Sequence, residues 1–206
     1  MPDTGFLALG GGWWHWGERE LFTELFAGAP KVLYWPFALA PDRHPGLTAH
    51  LAECLRPFGV TELTTWSTVD GHGAAELGAF PVVFLGGGNS YALRRELRRN
   101  AFDTALAGYV GAGGRVYGGS AGAVVLGKDI RTDQESPVGP PQPWAGLDLV
   151  HGHAIAVHPA EDPGPLREFA RTHGMPVLAV PDEGGAVVTA EGIRGVGRDP
   201  LRHYDP

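Results

Sequence analysis

The 206 residues are enough for one sizeable α/β domain and leave little chain for a second independent core. A formal net charge of −7, without any long block of lysine and arginine, argues against a nucleic-acid-binding surface. The single cysteine, Cys54, excludes an internal disulfide, and the histidines lack metal-hydrolase spacing, so we expect neither a metal nor an organic cofactor.

Residues 1–4 lack the basic segment and the apolar core of a signal peptide. No apolar run approaches the roughly 20 residues that are needed to span a bilayer. We therefore expect a cytoplasmic protein without a nucleic-acid or membrane partner. Whether it forms a homodimer is left open by the sequence.

Apolar runs that end at glycine or proline alternate along the chain with segments of helical periodicity. This alternation predicts an α/β fold with a mostly parallel sheet, helices on both faces, and a single domain over residues 1–206. The predicted strands are residues 6–9, 31–35, 60–66, 79–85, 115–117, 147–158, 177–180 and 186–189. The predicted helices are residues 18–26, 48–58, 91–100, 123–126 and 162–172, and residues 190–192 form a hairpin turn.

The first predicted strand runs into glycines 10–12 and then into the aromatic cluster Trp13-Trp14-His15-Trp16. In open α/β sheets, ligands bind at the loops that follow the carboxyl ends of strands. The aromatic cluster is therefore expected to line a binding cleft, although covering an edge of the sheet is an alternative. His15 receives no catalytic role from this pattern.

A second glycine-rich turn, Gly86-Gly87-Gly88-Asn89-Ser90, connects the predicted strand 79–85 to the predicted helix 91–100. One interpretation is a phosphate-binding loop, but neither Gly-x-x-x-x-Gly-Lys-Ser nor Gly-x-Gly-x-x-Gly fits these residues. The alternative is that its backbone N–H groups form an oxyanion hole, which requires a nucleophile from another loop.

The residues Gly118-Gly119-Ser120-Ala121-Gly122 lie between a strand-like run and a helix-like run. A serine with glycines two residues before and after it is typical of a nucleophile elbow, whose strained backbone tolerates only small neighbours. The five residues alone fit an ordinary serine-capped turn equally well. If Ser120 is a nucleophile, the backbone N–H groups of Ala121 and Gly88 are the natural pair for an oxyanion hole.

His158 ends the predicted strand 147–158 and precedes a loop rich in proline and acidic residues. A histidine at the end of a strand is well placed to face the same cleft as Ser120, and its chemistry suits a general base near neutral pH. A surface histidine that caps the strand is the alternative. His151 and His153 have the opposite parity along the predicted strand, so we expect them to be packing or surface residues.

Three motifs stand in one order along the chain: Leu85-Gly86-Gly87-Gly88-Asn89-Ser90, Gly118-Gly119-Ser120-Ala121-Gly122-Ala123 and Val157-His158-Pro159. Together they resemble peptidase family S51, the serine peptidases that include the aspartyl dipeptidases called peptidase E and the cyanophycinases. The resemblance covers roughly residues 5–197. It implies a class I glutamine-amidotransferase-like (flavodoxin-like) three-layer sandwich with a serine in place of the cysteine.

The resemblance also implies a cofactor-independent serine exopeptidase or dipeptidase that hydrolyses short peptides. Ser120 would attack the peptide carbonyl, with His158 as the general base. In peptidase E the segment after the elbow supplies the acid of the triad. Here that segment contains Asp133 and Glu135, and spacing from Ser120 favours Glu135, with Asp133 as the alternative.

Peptidase E has an arginine after its catalytic histidine that helps to bind the substrate's aspartate. In this chain, residues 160–168 are acidic and Arg167 falls at a helical position. An acidic rim would repel an aspartyl side chain, so strict aspartyl specificity is not expected. Asn89 and Trp14 are the predicted substrate-binding residues, and the tryptophans near His15 indicate an apolar or aromatic contact.

Two other functions fit the same pattern. One is a noncatalytic amidotransferase-like binding domain that has kept the fold, and the other is a hydrolase of a different amide or ester that uses the same triad. The presence of a serine, a histidine and an acid in the expected order favours an enzyme over the binding domain.

Overall fold

The computed structural model describes residues 5–11, 18–140 and 142–206, so Trp14 and the rest of its aromatic cluster lie outside the described residues. The strands in chain order are β1 (Phe6–Gly10), β2 (Lys31–Trp35), β3 (Glu62–Thr65), β4 (Val82–Leu85), β5 (Arg115–Gly119), β6 (Ala154–Val157), β7 (Val177–Val180), β8 (Gly184–Thr189), β9 (Gly192–Gly197) and β10 (Arg202–Tyr204). The α-helices are α1 (Arg19–Leu25), α2 (His44–Leu55), α3 (Ser90–Arg98), α4 (Phe102–Gly111), α5 (Ala121–Leu126) and α6 (Gly164–His173).

The larger sheet has the strand order β3-β2-β4-β5-β1-β8-β9. From β3 to β1 all neighbouring strands are parallel, and the β8–β9 hairpin adds an antiparallel edge. The central strand β4 is buried along its whole length, as expected where helices cover both faces of a parallel sheet. The α/β fold predicted from the alternation of strands and helices is confirmed.

Alternate residues of the central strands face two separate apolar cores, because successive side chains of a strand point to opposite faces. Leu33 and Val83 belong to the core that contains residues of α3, α4 and α5. Val32 and Val82 belong to the core that contains residues of α1 and α2. Each face of the sheet is thus closed by its own set of helices.

Three neighbouring strands of the larger sheet end at the same level. In the parallel pairings of β1 with β5 and of β4 with β5, Leu9 and Leu85 are both opposite Gly118. The loops that follow these strands therefore emerge side by side at the carboxyl edge of the sheet. This edge is where the two glycine-rich loops and Ser120 meet.

A smaller sheet has the order β10-β7-β6 and packs against α5. Its strands β6 and β7 are parallel, with Val157 opposite Val180. Ile155 and Leu178 from these strands share a core with the residues of α5. The carboxyl ends of β6 and β7 consequently lie level with each other, near the N-terminal end of α5, which follows Ser120.

Several segments differ from the sequence-based expectation, and strands β9 and β10 were not predicted. The predicted strand 147–158 is reduced to β6, because residues 147–149 donate hydrogen bonds to the carbonyls at the end of α5 and His151 adopts a left-handed backbone. Helix α4 was not predicted, although Phe102 and Leu106 are buried at helical spacing. Asn100 and Ala101, which both have a left-handed backbone, separate α4 from α3.

A buried pair of polar side chains supports the ends of β1 and β5. The Tyr117 hydroxyl donates to Oε1 of Glu18 at 2.8 Å, and both residues are fully buried. Burial, together with the nearby Glu18 carboxylate, raises the pKa of the Tyr117 hydroxyl well above its usual value. A Cβ at Gly10 would lie 1.6 Å from Oε1 of Glu18, so the last position of β1 requires glycine.

Replacing Tyr117 with phenylalanine removes this hydrogen bond and keeps the aromatic ring. We expect the free energy of unfolding to fall by about 1–3 kcal/mol, because a buried carboxyl group loses a donor. Tyr204→Phe is the matched control: Tyr204 is also buried, and its hydroxyl has no hydrogen bond among the described residues. Equal losses for the two variants in chemical denaturation would contradict the stabilising role of the pair.

Candidate active site

Ser120 occupies a strained turn between β5 and α5. Its backbone has φ 51° and ψ −113°, a conformation that residues with side chains rarely adopt. A Cβ at Gly118 would lie 2.7 Å from the backbone of Gly122, and a Cβ at Gly122 would lie 2.5 Å from the carbonyl oxygen of Leu85. The glycines on both sides of Ser120 are therefore a steric requirement, for the reason that the sequence pattern indicated.

The structure brings Ser120 and His158 together, although they are 38 positions apart in the chain. Oγ of Ser120 lies 3.1 Å from Nε2 of His158. His158 follows β6 directly and has a φ of 52°, so it also has the left-handed backbone that favours glycine. Its carbonyl oxygen accepts a hydrogen bond from Nε2 of Gln134 at 3.3 Å, which ties it to the segment after α5.

The other ring nitrogen of His158, Nδ1, is hydrogen-bonded to Oδ1 of Asp182. An ionised carboxylate only accepts hydrogen bonds, so Nδ1 is the nitrogen that carries the proton. The lone pair of Nε2 is then free to accept the hydroxyl proton of Ser120. Serine, histidine and aspartate form a continuous series of hydrogen bonds.

The pairing of β6 with β7 explains why Asp182 meets His158. The two strands are parallel and in register, and each of these residues lies just beyond the carboxyl end of its strand. The first glycine-rich loop also packs here, since a Cβ at Gly11 would lie 3.0 Å from Cα of Asp182. The position of Asp182 is thus set by a strand end and by a backbone contact.

Glu135, the predicted acid of the triad, is not placed against His158. Its backbone N–H donates to Oδ1 of Asp133 at 3.1 Å, and its side chain is exposed. The structure therefore contradicts Glu135 as the partner of His158, whose imidazole instead contacts Asp182, 24 residues after it. Spacing from the serine pointed to another segment because the carboxylate that contacts His158 follows the neighbouring strand of the smaller sheet.

A signal for Asp182 was present in the sequence. Asp182 and Glu183 form an acidic pair two residues after the predicted strand 177–180, and this strand was predicted with its correct bounds. Two parallel strands that end in a histidine and in an acid are a recognisable combination. What the sequence did not provide is the knowledge that β6 and β7 are neighbours.

Asp133, the alternative acid, points away from the histidine and toward the second glycine-rich loop. Its Oδ2 accepts a hydrogen bond from the backbone N–H of Ser90 at 2.9 Å. This N–H belongs to the first residue of α3, which has no acceptor within its own helix. Asp133 is therefore a helix-capping residue contributed by a distant part of the chain.

The predicted oxyanion-hole residues lie on the two sides of Ser120. A Cβ at Gly87 would be 3.2 Å from Cβ of Ser120, which shows how closely the second glycine-rich loop approaches the serine. Gly88 has φ 132°, and a Cβ there would lie 2.4 Å from the carbonyl oxygen of Ala38. In the described part of the chain, neither the N–H of Gly88 nor that of Ala121 donates to a protein acceptor.

Asn89, a predicted substrate contact, uses both ends of its side-chain amide within the protein. Its Oδ1 accepts from the N–H of Ala92 at 3.0 Å, and its Nδ2 donates to the carbonyl of Ser136 at 2.9 Å. Its role in substrate binding stays a prediction. Trp14, the other predicted contact, lies outside the described residues.

Other histidines and acids do not form an additional centre in residues 5–11, 18–140 and 142–206. No group of three or more histidine, cysteine, aspartate or glutamate side chains there is arranged to hold a metal ion. His151 and His153 precede β6, and their rings are hydrogen-bonded to the backbone carbonyls of Thr189 and Val150 respectively.

None of the helices in residues 5–11, 18–140 and 142–206 is long and apolar enough to cross a membrane.

Comparison with known proteins relates most of the chain to one family. The family model "Peptidase family S51" matches residues 6–194. Peptidase E from Escherichia coli O1:K1 / APEC and peptidase E from Shigella boydii serotype 18 are each 30% identical to this chain over 159 residues. The matched region is 74% of this chain and 69% of each relative.

Two solved structures have a similar fold. A protein from Listeria monocytogenes EGD-e that has been assigned to peptidase E gives a TM-score of 0.73 at 18% identity, over 95% of this chain and 99% of its own. A peptidase from an acI-B1 Actinobacterium gives a TM-score of 0.70 at 16% identity, over 98% of this chain and 94% of its own. These similarities establish the fold that the sequence resemblance implied.

The steric requirement at the serine turn can be tested with alanine substitutions. Gly122→Ala forces a methyl group against the carbonyl oxygen of Leu85, and we expect it to lower the free energy of unfolding by about 1–3 kcal/mol. Gly108→Ala, inside α4 with no atom within 4 Å of the added Cβ, is the matched control and should raise it by about 0.5–1 kcal/mol. Thermal and chemical denaturation would show the two opposite signs, and a neutral Gly122→Ala would contradict the close packing.

Proposed function

This chain belongs to peptidase family S51, and we propose that it is a serine peptidase that hydrolyses short peptides. In this proposal Ser120 is the nucleophile at a nucleophile elbow, His158 is the general base, and Asp182 orients the imidazole. The observation that carries the proposal is the series of hydrogen bonds from Ser120 through His158 to Asp182. The family, whose members are peptidases, supports the choice of a peptide bond as the target.

The proposed reaction follows from these contacts. Nε2 of His158 takes the hydroxyl proton as Oγ of Ser120 forms a bond to the peptide carbonyl carbon. The same proton is then given to the leaving amine, the C–N bond breaks, and an acyl-Ser120 ester remains. Water attacks this ester with His158 again acting as base, which releases the acid and restores the serine. Asp182 keeps Nδ1 protonated and stabilises the imidazolium that forms twice in each cycle.

Backbone N–H groups are the proposed stabilisers of the tetrahedral intermediate. The N–H of Ala121 follows the nucleophile, and the N–H of Gly88 comes from the loop that packs against Ser120. Two donors from different loops are the usual construction of an oxyanion hole beside a nucleophile elbow. Each such donor contributes about 10²–10³ to turnover in enzymes of this kind, so their placement matters.

The substrate is proposed to be a short peptide cut by an exopeptidase or dipeptidase, without strict aspartyl specificity. Arg167, which follows the histidine, lies in α6 with its guanidinium over the ring of Tyr204, in the smaller sheet. The acids of the segment from residue 160 to 168 remain unfavourable neighbours for an aspartyl side chain. The cytoplasmic location and the single domain stay predictions, and homodimer formation is a question for experiment.

The decisive experiment compares three variants on a panel of dipeptides and tripeptides with aspartyl, apolar and N-blocked first residues. We expect Ser120→Ala to abolish turnover and Asp182→Asn to lower kcat by about 10⁴-fold, because the imidazole loses its orienting partner. Glu135→Gln should keep kcat close to the wild-type value, since Glu135 does not contact the histidine. The first residue that is preferred in this panel shows directly whether the chain is specific for aspartyl peptides.

Labelling with a fluorophosphonate probe separates the remaining alternatives. Labelling of the wild type but not of Ser120→Ala, together with no peptide cleavage, would favour a hydrolase of another amide or ester. No labelling and no cleavage would favour the noncatalytic binding domain. A large loss in Glu135→Gln with a normal Asp182→Asn would contradict the assignment of the acid.

A further inference from the structure

Helix α3 begins at Ser90, the last residue of the second glycine-rich loop, so whatever holds its first turn also holds Gly88. Two side chains act on this turn. Oδ1 of Asn89 caps it locally by accepting from the N–H of Ala92 at 3.0 Å. Oδ2 of Asp133 accepts from the N–H of Ser90 at 2.9 Å across 43 positions of sequence.

The same two side chains fasten the loop to the segment that follows α5. Oδ1 of Asp133 accepts from the N–H of Glu135 at 3.1 Å, and Nδ2 of Asn89 donates to the carbonyl of Ser136 at 2.9 Å. The first turn of α3 is therefore bonded to residues 133 and 136 at two separate points. Gln134, between them, reaches the carbonyl of His158 at 3.3 Å.

On its opposite side, the loop is fixed by the segment that follows β2. The N–H of Asn89 donates to the carbonyl of Ala38 at 2.8 Å, and the left-handed Gly88 packs against the same oxygen. The loop is thus held between Ala38 on one side and Asp133 on the other. Without Asp133 the loop keeps its contacts with Ala38 and, through the Asn89 side chain, with Ser136, but the N–H of Ser90 at the start of α3 loses its hydrogen bond.

The charge of Asp133 offers no direct help to a developing oxyanion. Burial, and after it the charge of Asp133, raises the pKa of the Tyr91 hydroxyl, so the field of this carboxylate is felt in the first turn of α3. A negative charge there opposes a negative charge on the substrate oxygen nearby. Any benefit from Asp133 has to come through the position of the backbone that it holds.

We propose that Asp133 is a positioning residue that keeps the N–H of Gly88 aligned with Ser120 for the transition state. This proposal rests on the proposed function. The hydrogen-bonded oxygen of Asp133 performs this role, through Ser90. This distinguishes it from Asp182, whose charge is required beside the imidazolium. The distinction gives opposite expectations for the asparagine variants of the two residues.

Asp133→Ala should lower kcat by about 10–10²-fold with KM nearly unchanged, because displacing one oxyanion donor costs less than the 10²–10³ of removing it. Asp133→Asn should restore part of kcat, since its amide oxygen can still accept from the N–H of Ser90 while its NH2 group cannot accept from the N–H of Glu135. The pH profile of kcat/KM should keep its acidic limb in both variants. Fluorophosphonate labelling of Ser120 should slow in Asp133→Ala in parallel with kcat.

Glu76→Ala is the matched control. Glu76 also accepts a backbone N–H at the start of a short helix, that of Gly73 at 2.6 Å, in a segment that contributes nothing to the site. Its removal should leave kcat and labelling unchanged. Hydrogen exchange of the backbone N–H groups of residues 87–92 reports how firmly Asp133 holds the loop, without relying on activity. This exchange should be faster in Asp133→Ala than in the wild type and unchanged in Glu76→Ala.

Each outcome decides the proposal. Wild-type kcat and labelling in Asp133→Ala, or a loss in Asp133→Asn as large as that in Asp182→Asn, would overturn it while the serine peptidase stands. A wild-type protein that neither reacts with the fluorophosphonate nor cleaves any peptide would overturn the proposed function and the positioning role of Asp133 together. In that case, unchanged hydrogen exchange in Asp133→Ala would also show that Asp133 does not hold the loop.

Discussion

The close approach of the backbones at the ends of β1, β4 and β5 is the constraint on which the rest of the site depends. Added methyl groups at Gly118 or Gly122 would collide with backbone atoms at 2.5–2.7 Å, and one at Gly10 would collide with the buried Glu18 carboxylate. The N–H of Ser120 can therefore reach the carbonyl of Gly10 at 2.9 Å, and the second glycine-rich loop can touch the serine. Main-chain atoms fix Ser120 and the N–H groups of Gly88 and Ala121 beside it, which is the most rigid way to place them.

The smaller sheet adds to this arrangement the side chains that the larger sheet does not provide. Because β6 and β7 are parallel and in register, His158 and Asp182 leave the sheet at one level. Helix α5 shares its core with both strands and directly follows Ser120. A single short helix thus relates the position of Ser120 to that of His158, and the pairing of two strands relates the position of His158 to that of Asp182.

Local patterns predicted most of the fold and part of the site. The bounds of β2 and β7, the turn at Ser120 and the histidine at the end of β6 depend on residues that are close in sequence. The partner of His158 depends on which strands are neighbours, and linear spacing from the serine does not contain this information. Helix α4 was not predicted although Phe102 and Leu106 have helical spacing, and the left-handed Asn100 and Ala101 separate it from α3.

Ser120 and His158 both have a strained backbone, and contacts from several other segments hold them in place. Ser120 and His158 both have φ near +50°, in a region that costs residues with side chains about 1–3 kcal/mol each. Such residues keep their conformation only where their surroundings fix it by several contacts. Ser120 is fixed through Gly10, and His158 through Asp182 and through its carbonyl contact with Gln134. Residues 133–136 therefore connect His158 on one side to the first turn of α3 on the other.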